Sequence, residues 1–133
     1  MCNDALATKH NIAIRLHNNG DTFCPLCSND SETSLHLFRG CRVGGGIWGR
    51  LGLEVLKSTG FERGMEWVEA VWRDMGERER VEFMTGCWAV WEWRNKAVFE
   101  GSKMGVEDVV RRARDIMSEI EGMRKGAEAR EGA

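Results

Sequence analysis

The sequence predicts an all-α fold: a small helical domain with an N-terminal zinc knuckle (Cys-Cys-His-Cys), followed by amphipathic helices. Three observations predict it. Apolar residues recur at three- and four-residue steps, and no segment shows a convincing period of two. The 133 residues include a single Pro and many Arg, Glu and Met, which favours helix over sheet. Cys24, Cys27, His36 and Cys41 fall at the spacing C-x2-C-x8-H-x4-C. The length suits one domain with a real core. A 42% apolar share beside 30% charged residues excludes generic disorder.

The elements follow in order. Thr8 can cap a first helix running through Ile12, Ile14 and Leu16, which the turn cluster Asn18-Asn19-Gly20-Asp21 ends. Ser31 or Asp30 can cap a second helix from Glu32 to about Arg39. Gly44-Gly45-Gly46 is a break or a poor helix start, since each Gly costs up to about 1 kcal/mol inside a helix. Ile47, Trp48, Leu51 and Val55 then share one helical face. Trp67, Val68, Val71, Trp72 and Met75 form a short amphipathic helix ended by Gly76. The longest helix runs from about Glu77 to Phe99, its apolar face drawn through Met84, Cys87, Trp88, Trp91 and Val98, with Gly101 as its stop. The last runs from about Val106 to Met123. Its stripe is Val109, Val110, Ala113, Ile116, Met117, Ile120 and Met123, opposite Arg111, Arg112, Arg114, Asp115 and Glu119. Grouped, these give a zinc-binding helical domain over 1–60, a Trp-rich segment over 61–125 packing as a hairpin or small bundle, and a tail over 126–133 that frays.

The cysteine spacing carries the chemistry. Two Cys two residues apart can both point inward from one tight turn, and a His and a Cys four residues apart can complete a tetrahedron. Three thiolates and an imidazole around Zn²⁺ leave a charge of −1 and no position for a catalytic water, so such a site is structural. Two other readings stay open: a packed helix that happens to carry His and Cys, and a redox pair of Cys24 with Cys27. The redox reading wants a strand before Cys24 and leaves His36 and Cys41 unused. Cys2 reads as a terminal residue and Cys87 as a small buried hydrophobe. His10 has no partner in sequence, and His17 reads as a surface or helix-end residue.

Charge limits the partners. Lys and Arg number 19 against 21 Asp and Glu, a formal charge of −2, which excludes a strongly basic nucleic-acid binder. No apolar run is long enough to span a bilayer, and no secretory signal opens the chain. An odd cysteine count without such a signal points to a reducing compartment, intracellular, nucleus or cytoplasm. Trp beside Arg94 and Lys96 could be a base-stacking platform. At helical spacing Trp88 and Trp91 read rather as core, with Trp93 exposed or at a contact.

Residues 5–53 resemble the reverse transcriptase zinc-binding domain of plant LINE-type (non-LTR) retrotransposon polyproteins and proteins derived from them. The resemblance rests on Leu6-Ala7-Thr8-Lys9-His10-Asn11, Cys24-Pro25-Leu26-Cys27, Glu32-Thr33, His36-Leu37-Phe38, Cys41 and Ile47-Trp48. Trp88, Trp91, Arg94, Asn95, Val98 and Phe99 are similar to the helical segment that follows this domain in the same polyproteins. Ala7 stands where the family usually has Pro, and Gly44-Gly45-Gly46 replaces a more helix-friendly stretch. The resemblance implies zinc on Cys24, Cys27, His36 and Cys41, a place between a reverse transcriptase and an RNase H-like domain, and a nucleic-acid role.

The chain reads as no enzyme. A polymerase needs paired aspartates on a hairpin, whereas neighbouring acids such as Glu107-Asp108 lie on predicted helix. An RNase H site needs carboxylates on a sheet. The expectation is therefore a non-catalytic, retrotransposon-derived zinc module with weak binding to DNA or RNA, no membrane and no small-molecule substrate. Its phosphate contacts would come from Lys9, Arg15, Arg39, Arg42 and Arg50. The alternative is a structural or protein-interaction remnant, in which zinc only holds the fold and the Trp-rich helices meet a partner.

Overall fold

The computed structural model describes residues 8–9, 22–33, 35–53, 64–101 and 103–131. The first predicted helix and its stop, Cys2, His10, Arg15, His17 and Val55 lie outside the described residues. The fold is all-α. Among the described residues no strand forms, and a single antiparallel bridge joins Phe23 to Ser31. A π-helical turn spans His36–Gly40, followed by α1 (Gly46–Arg50), α2 (Gly64–Asp74), α3 (Glu77–Phe99) and α4 (Val106–Glu131).

Local chemistry sets the boundaries. The helical turn before α1 starts later than Glu32: the Thr33 hydroxyl accepts the His36 N–H at 3.0 Å. Asp30 and Ser31, the expected caps, instead lie in the knuckle, where the Asp30 carbonyl accepts the Cys24 N–H at 2.7 Å. Glu79 reaches back to the Gly76 N–H to start α3. Gly101 stops it in the left-handed conformation, φ 62°. Asp108 accepts the Gly105 N–H ahead of α4. That helix continues to Glu131, past the end expected at about Met123.

One core runs through the described residues. Trp48, Trp67 and Phe83 meet at centroid distances of 5.3 to 6.3 Å in tilted and edge-on arrangements. The Trp48 Nε1–H donates to the Phe38 carbonyl, so this indole is both buried and satisfied. The glycine run does not loosen the Trp48 helix. A Cβ on Gly45 would lie 2.6 Å from the Cys41 carbonyl oxygen and 2.7 Å from that of Arg39, so the close backbone approach needs a glycine there.

The buried face of α3 differs from the one its large apolar residues suggest. Phe83, Gly86, Cys87, Val90, Trp93 and Arg94 are buried, at steps of three and four. Met84, Trp88 and Val98 are exposed and Trp91 is half-buried. Trp93, expected to be exposed or at a contact, is buried and donates its Nε1–H to the Met104 carbonyl at 3.1 Å. The cause is steric. At Gly86 a Cβ would overlap the rim of the Trp48 indole. The inward stripe therefore sets Gly86 against that indole, among Phe83, Cys87, Val90, Trp93 and Arg94, and Trp88 is left at the edge under Arg112, 5.5 Å from its ring centroid. On α4 the predicted stripe is buried at Val109, Val110 and Ala113, half-buried at Ile116 and Met117, and exposed at Ile120 and Met123. No helix among the described residues is long and apolar enough to cross a membrane.

Candidate metal centre

The knuckle is built by short-range hydrogen bonds. Pro25 and Leu26 make the turn between the first two cysteines, and the Ser28 N–H returns to the Cys24 carbonyl at 2.8 Å. Ser28 adopts φ 59°, the left-handed geometry that redirects the chain after Cys27. The Glu32 N–H bonds the Thr22 carbonyl at 2.6 Å and closes the loop. The π turn then supplies the other two residues. Its widened bond, Cys41 N–H to His36 carbonyl at 2.6 Å, joins the backbones of His36 and Cys41 themselves.

The four side chains converge. One donor atom from each of Cys24, Cys27, His36 and Cys41 lies within 4.8 Å of the others. The Cys24 and Cys41 sulfurs are 3.8 Å apart, and His36 Nε2 is 3.3 Å from the Cys27 sulfur. A tetrahedral zinc with Zn–S of about 2.3 Å and Zn–N of about 2.0 Å sets sulfurs about 3.8 Å apart and sulfur and nitrogen about 3.5 Å apart. The donor set and its spacing therefore fit a divalent, thiophilic ion. The three cysteines are buried, and the described cysteines carry no disulfide. A second layer is present as well. The Gly44 N–H points at the Cys41 sulfur at 3.3 Å. The Asp30 carboxylate stands 4.0 Å from His36 Nδ1, the nitrogen not facing Cys27.

Without a metal these groups share protons. A hydrogen bond from the Cys24 thiol, then contacts from His36 and the Gly44 and Val43 amides, hold Cys41 down at about 3 against the pull of burial. The same bond to Cys41, with burial, pushes Cys24 well above the ordinary thiol value. The bond to Cys41 raises His36 to about 9, although burial opposes it. A thiolate–imidazolium pair and protonated thiol thus stand where a dication would bind and displace protons.

A second buried polar group ties this region to α3. Glu32 and Arg94, both almost fully buried, form a two-point ion pair: Nε to Oε2 at 2.7 Å and a terminal guanidinium nitrogen to Oε1 at 2.8 Å. The Lys9 backbone N–H adds a third donor to Oε1 at 2.6 Å. Sequence reasoning noted Glu32 as a helix start, Arg94 as the neighbour of a possible base-stacking Trp, and both as matches to a family pattern, but not as partners. The available signal was the register of Arg94 with Cys87 and Val90, which sets a charge on the inward face.

The proposed phosphate-contacting residues separate. Arg15 lies outside the described residues. Lys9 is half-buried, and its amide is engaged by Glu32. Arg50 pairs with the Glu107 carboxylate, and its carbonyl accepts Arg114 at 2.9 Å, which joins α1 to α4. Arg39 and Arg42 come together in the wall of one cleft beside Cys41. A scan against family models, a search of curated proteins and a search of solved structures found no match to this chain.

Proposed function

We propose that the protein is a non-catalytic zinc-binding module, derived from a retrotransposon reverse transcriptase accessory domain, that makes weak contacts with nucleic acid. The observation that carries this reading is the convergence of three cysteines and one histidine at tetrahedral spacing. Zinc on this set would cross-link the knuckle to the π turn. The chain fills all four positions, which leaves no place for an activated water. The residues themselves orient the set: Thr33 starts the turn that carries His36, the His36 carbonyl fixes Cys41, and the Gly44 amide steadies the Cys41 sulfur. Buried thiols of this kind suit a reducing compartment, the nucleus or the cytoplasm.

A second reading, a protein-interaction remnant, is favoured by one feature. Met84, Trp88 and Phe99 are exposed on α3. Trp88, Trp91 and Phe99 line a shallow groove of about 270 Å³.

Native mass spectrometry of protein purified without added metal tests the first reading. One zinc per chain is expected, with helical circular dichroism or cooperative melting lost on chelation. Cys24→Ser should lose the metal. A metal-free chain that melts the same with and without chelator would overturn the structural role of the site.

A further inference from the structure

We infer that Cys24 and Cys41 are a redox pair: a hydroperoxide joins their sulfurs in a disulfide that releases the metal and replaces it as the cross-link between knuckle and π turn. The release rests on the zinc reading above, whereas the pairing rests on the sulfurs alone. The sequence offers Cys24 with Cys27 as a redox pair, since they share one turn. The fold pairs them differently. The Cys24 and Cys41 sulfurs lie 3.8 Å apart across 17 positions, while the Cys27 sulfur faces His36 Nε2 at 3.3 Å. A disulfide is about 2.05 Å long, so from 3.8 Å about 1.8 Å of approach remains. The backbone is held on both sides. The Cys24 N–H bonds the Asp30 carbonyl at 2.7 Å, the Cys41 N–H bonds the His36 carbonyl at 2.6 Å, and the Cys41 carbonyl accepts the Gly45 N–H at 2.6 Å. The approach therefore falls to the two side chains, which already point into one cluster.

Burial selects the oxidant. Cys24 and Cys41 are each 1% exposed, which keeps bulky disulfide reagents from either sulfur. Cys41 borders a cleft of about 290 Å³ with Gly40, Gly45 and Gly46 among its walls. Hydrogen peroxide is little larger than water, whose share of liquid volume is about 30 Å³, and enters such a space. The step balances. The Cys41 sulfur attacks a peroxide oxygen: the S–O bond forms, the O–O bond breaks, and the leaving hydroxide takes a proton to become water. The Cys24 sulfur then attacks the Cys41 sulfur: the S–S bond forms, the S–O bond breaks, and a second hydroxide leaves as water with another proton. The two sulfurs lose two electrons and the peroxide gains them.

Cys27 and His36 are then two donors where structural zinc needs four, so the bond releases the metal. The disulfide spans the same gap. It joins the knuckle to the end of the π turn, which carries Phe38, the anchor of the Trp48 indole. Oxidation thus exchanges one cross-link for another and leaves the core seated. A Cys24–Cys27 bond would tie the knuckle only to itself.

Treatment of the full chain, loaded with zinc and freed of reductant, with hydrogen peroxide tests this. Released zinc is titrated with a chromogenic chelator, and the disulfide is mapped by peptide mass spectrometry without reduction. One zinc should leave per disulfide formed, and the linked peptides should hold Cys24 and Cys41. The same oxidation in concentrated urea should shift the link toward Cys24–Cys27, the nearest pair in sequence. With chelator present, the oxidised chain should melt cooperatively and keep its near-ultraviolet ellipticity, the reduced chain should do neither, and dithiothreitol should convert the first into the second. A Cys24–Cys27 link in the folded chain would overturn the pairing, as would oxygen-bearing cysteines with no disulfide. An oxidised chain that melts like the reduced, chelated one would overturn the exchange of cross-links. A reduced chain that holds no zinc would overturn the zinc reading and the release with it, while the mapped link still decides the pairing.

Discussion

At the scale of single residues, two side chains give sharp expectations. A Cβ on Gly86 of α3 would overlap the Trp48 indole and lie 2.8 Å from a second ring carbon. Gly86→Ala gains helix propensity but forces the ring or the helix to move. The expected net loss is about 1–3 kcal/mol, read by urea denaturation. Arg94 is the partner of a carboxylate that is fully out of water. Arg94→Met should therefore cost about 3–5 kcal/mol, because Glu32 is left charged and buried. The double variant Glu32→Met with Arg94→Met should cost less than Arg94→Met alone, and a double-mutant cycle checks this. Neither position was legible as structural in the sequence, for one reason. A glycine and an arginine carry no apolar signal, so pattern reading passed over both and chose Met84, Trp88 and Val98, which face outward.

At the scale of elements, the knuckle and the π turn behave as one titrating unit. Cys41, lowered from 9.0 to about 3, adds stability that is full above pH 9 and is lost as pH falls toward 3. His36, raised from 6.5 to about 9, adds stability that is full below pH 6.5 and is lost as pH rises to 9. Between 6.5 and 9 the two slopes cancel. Cys24, shifted upward, loses its contribution as pH climbs above the ordinary thiol value. The metal-free, reduced chain should thus gain stability from about pH 3 to 6.5, stay level to about 9 and weaken above that. Urea midpoints measured across pH with chelator and reductant present check this, and a steady decline from pH 5 to 8 would contradict the assignment. The elements themselves were largely legible. The ends of α3 and the start of α4 follow glycine stops and short-range caps visible in sequence. The π turn was not, because no apolar period or capping residue signals the widened Cys41 N–H to His36 carbonyl bond.

At the scale of the whole molecule, the four candidate metal ligands were legible because their spacing is itself the signal. What lay beyond reading was how the N-terminal and Trp-rich halves meet. That depends on contacts across 62 and 64 positions, Glu32 with Arg94 and Arg50 with Arg114, which no local pattern encodes. Metal removal should therefore act beyond the knuckle. Chelation is expected to unseat Trp48 as well, since its Nε1–H is anchored on Phe38 inside the π turn. The chain has no tyrosine, so its near-ultraviolet absorption is almost wholly that of its six tryptophans. Two of them, Trp48 and Trp67, lie 6.3 Å apart and inclined at 59°, a geometry in which their electronic transitions couple and give a chiral optical signal. The protein thus carries a label-free spectroscopic gauge of its own core, in which loss of the ion would be read as a fading ellipticity band.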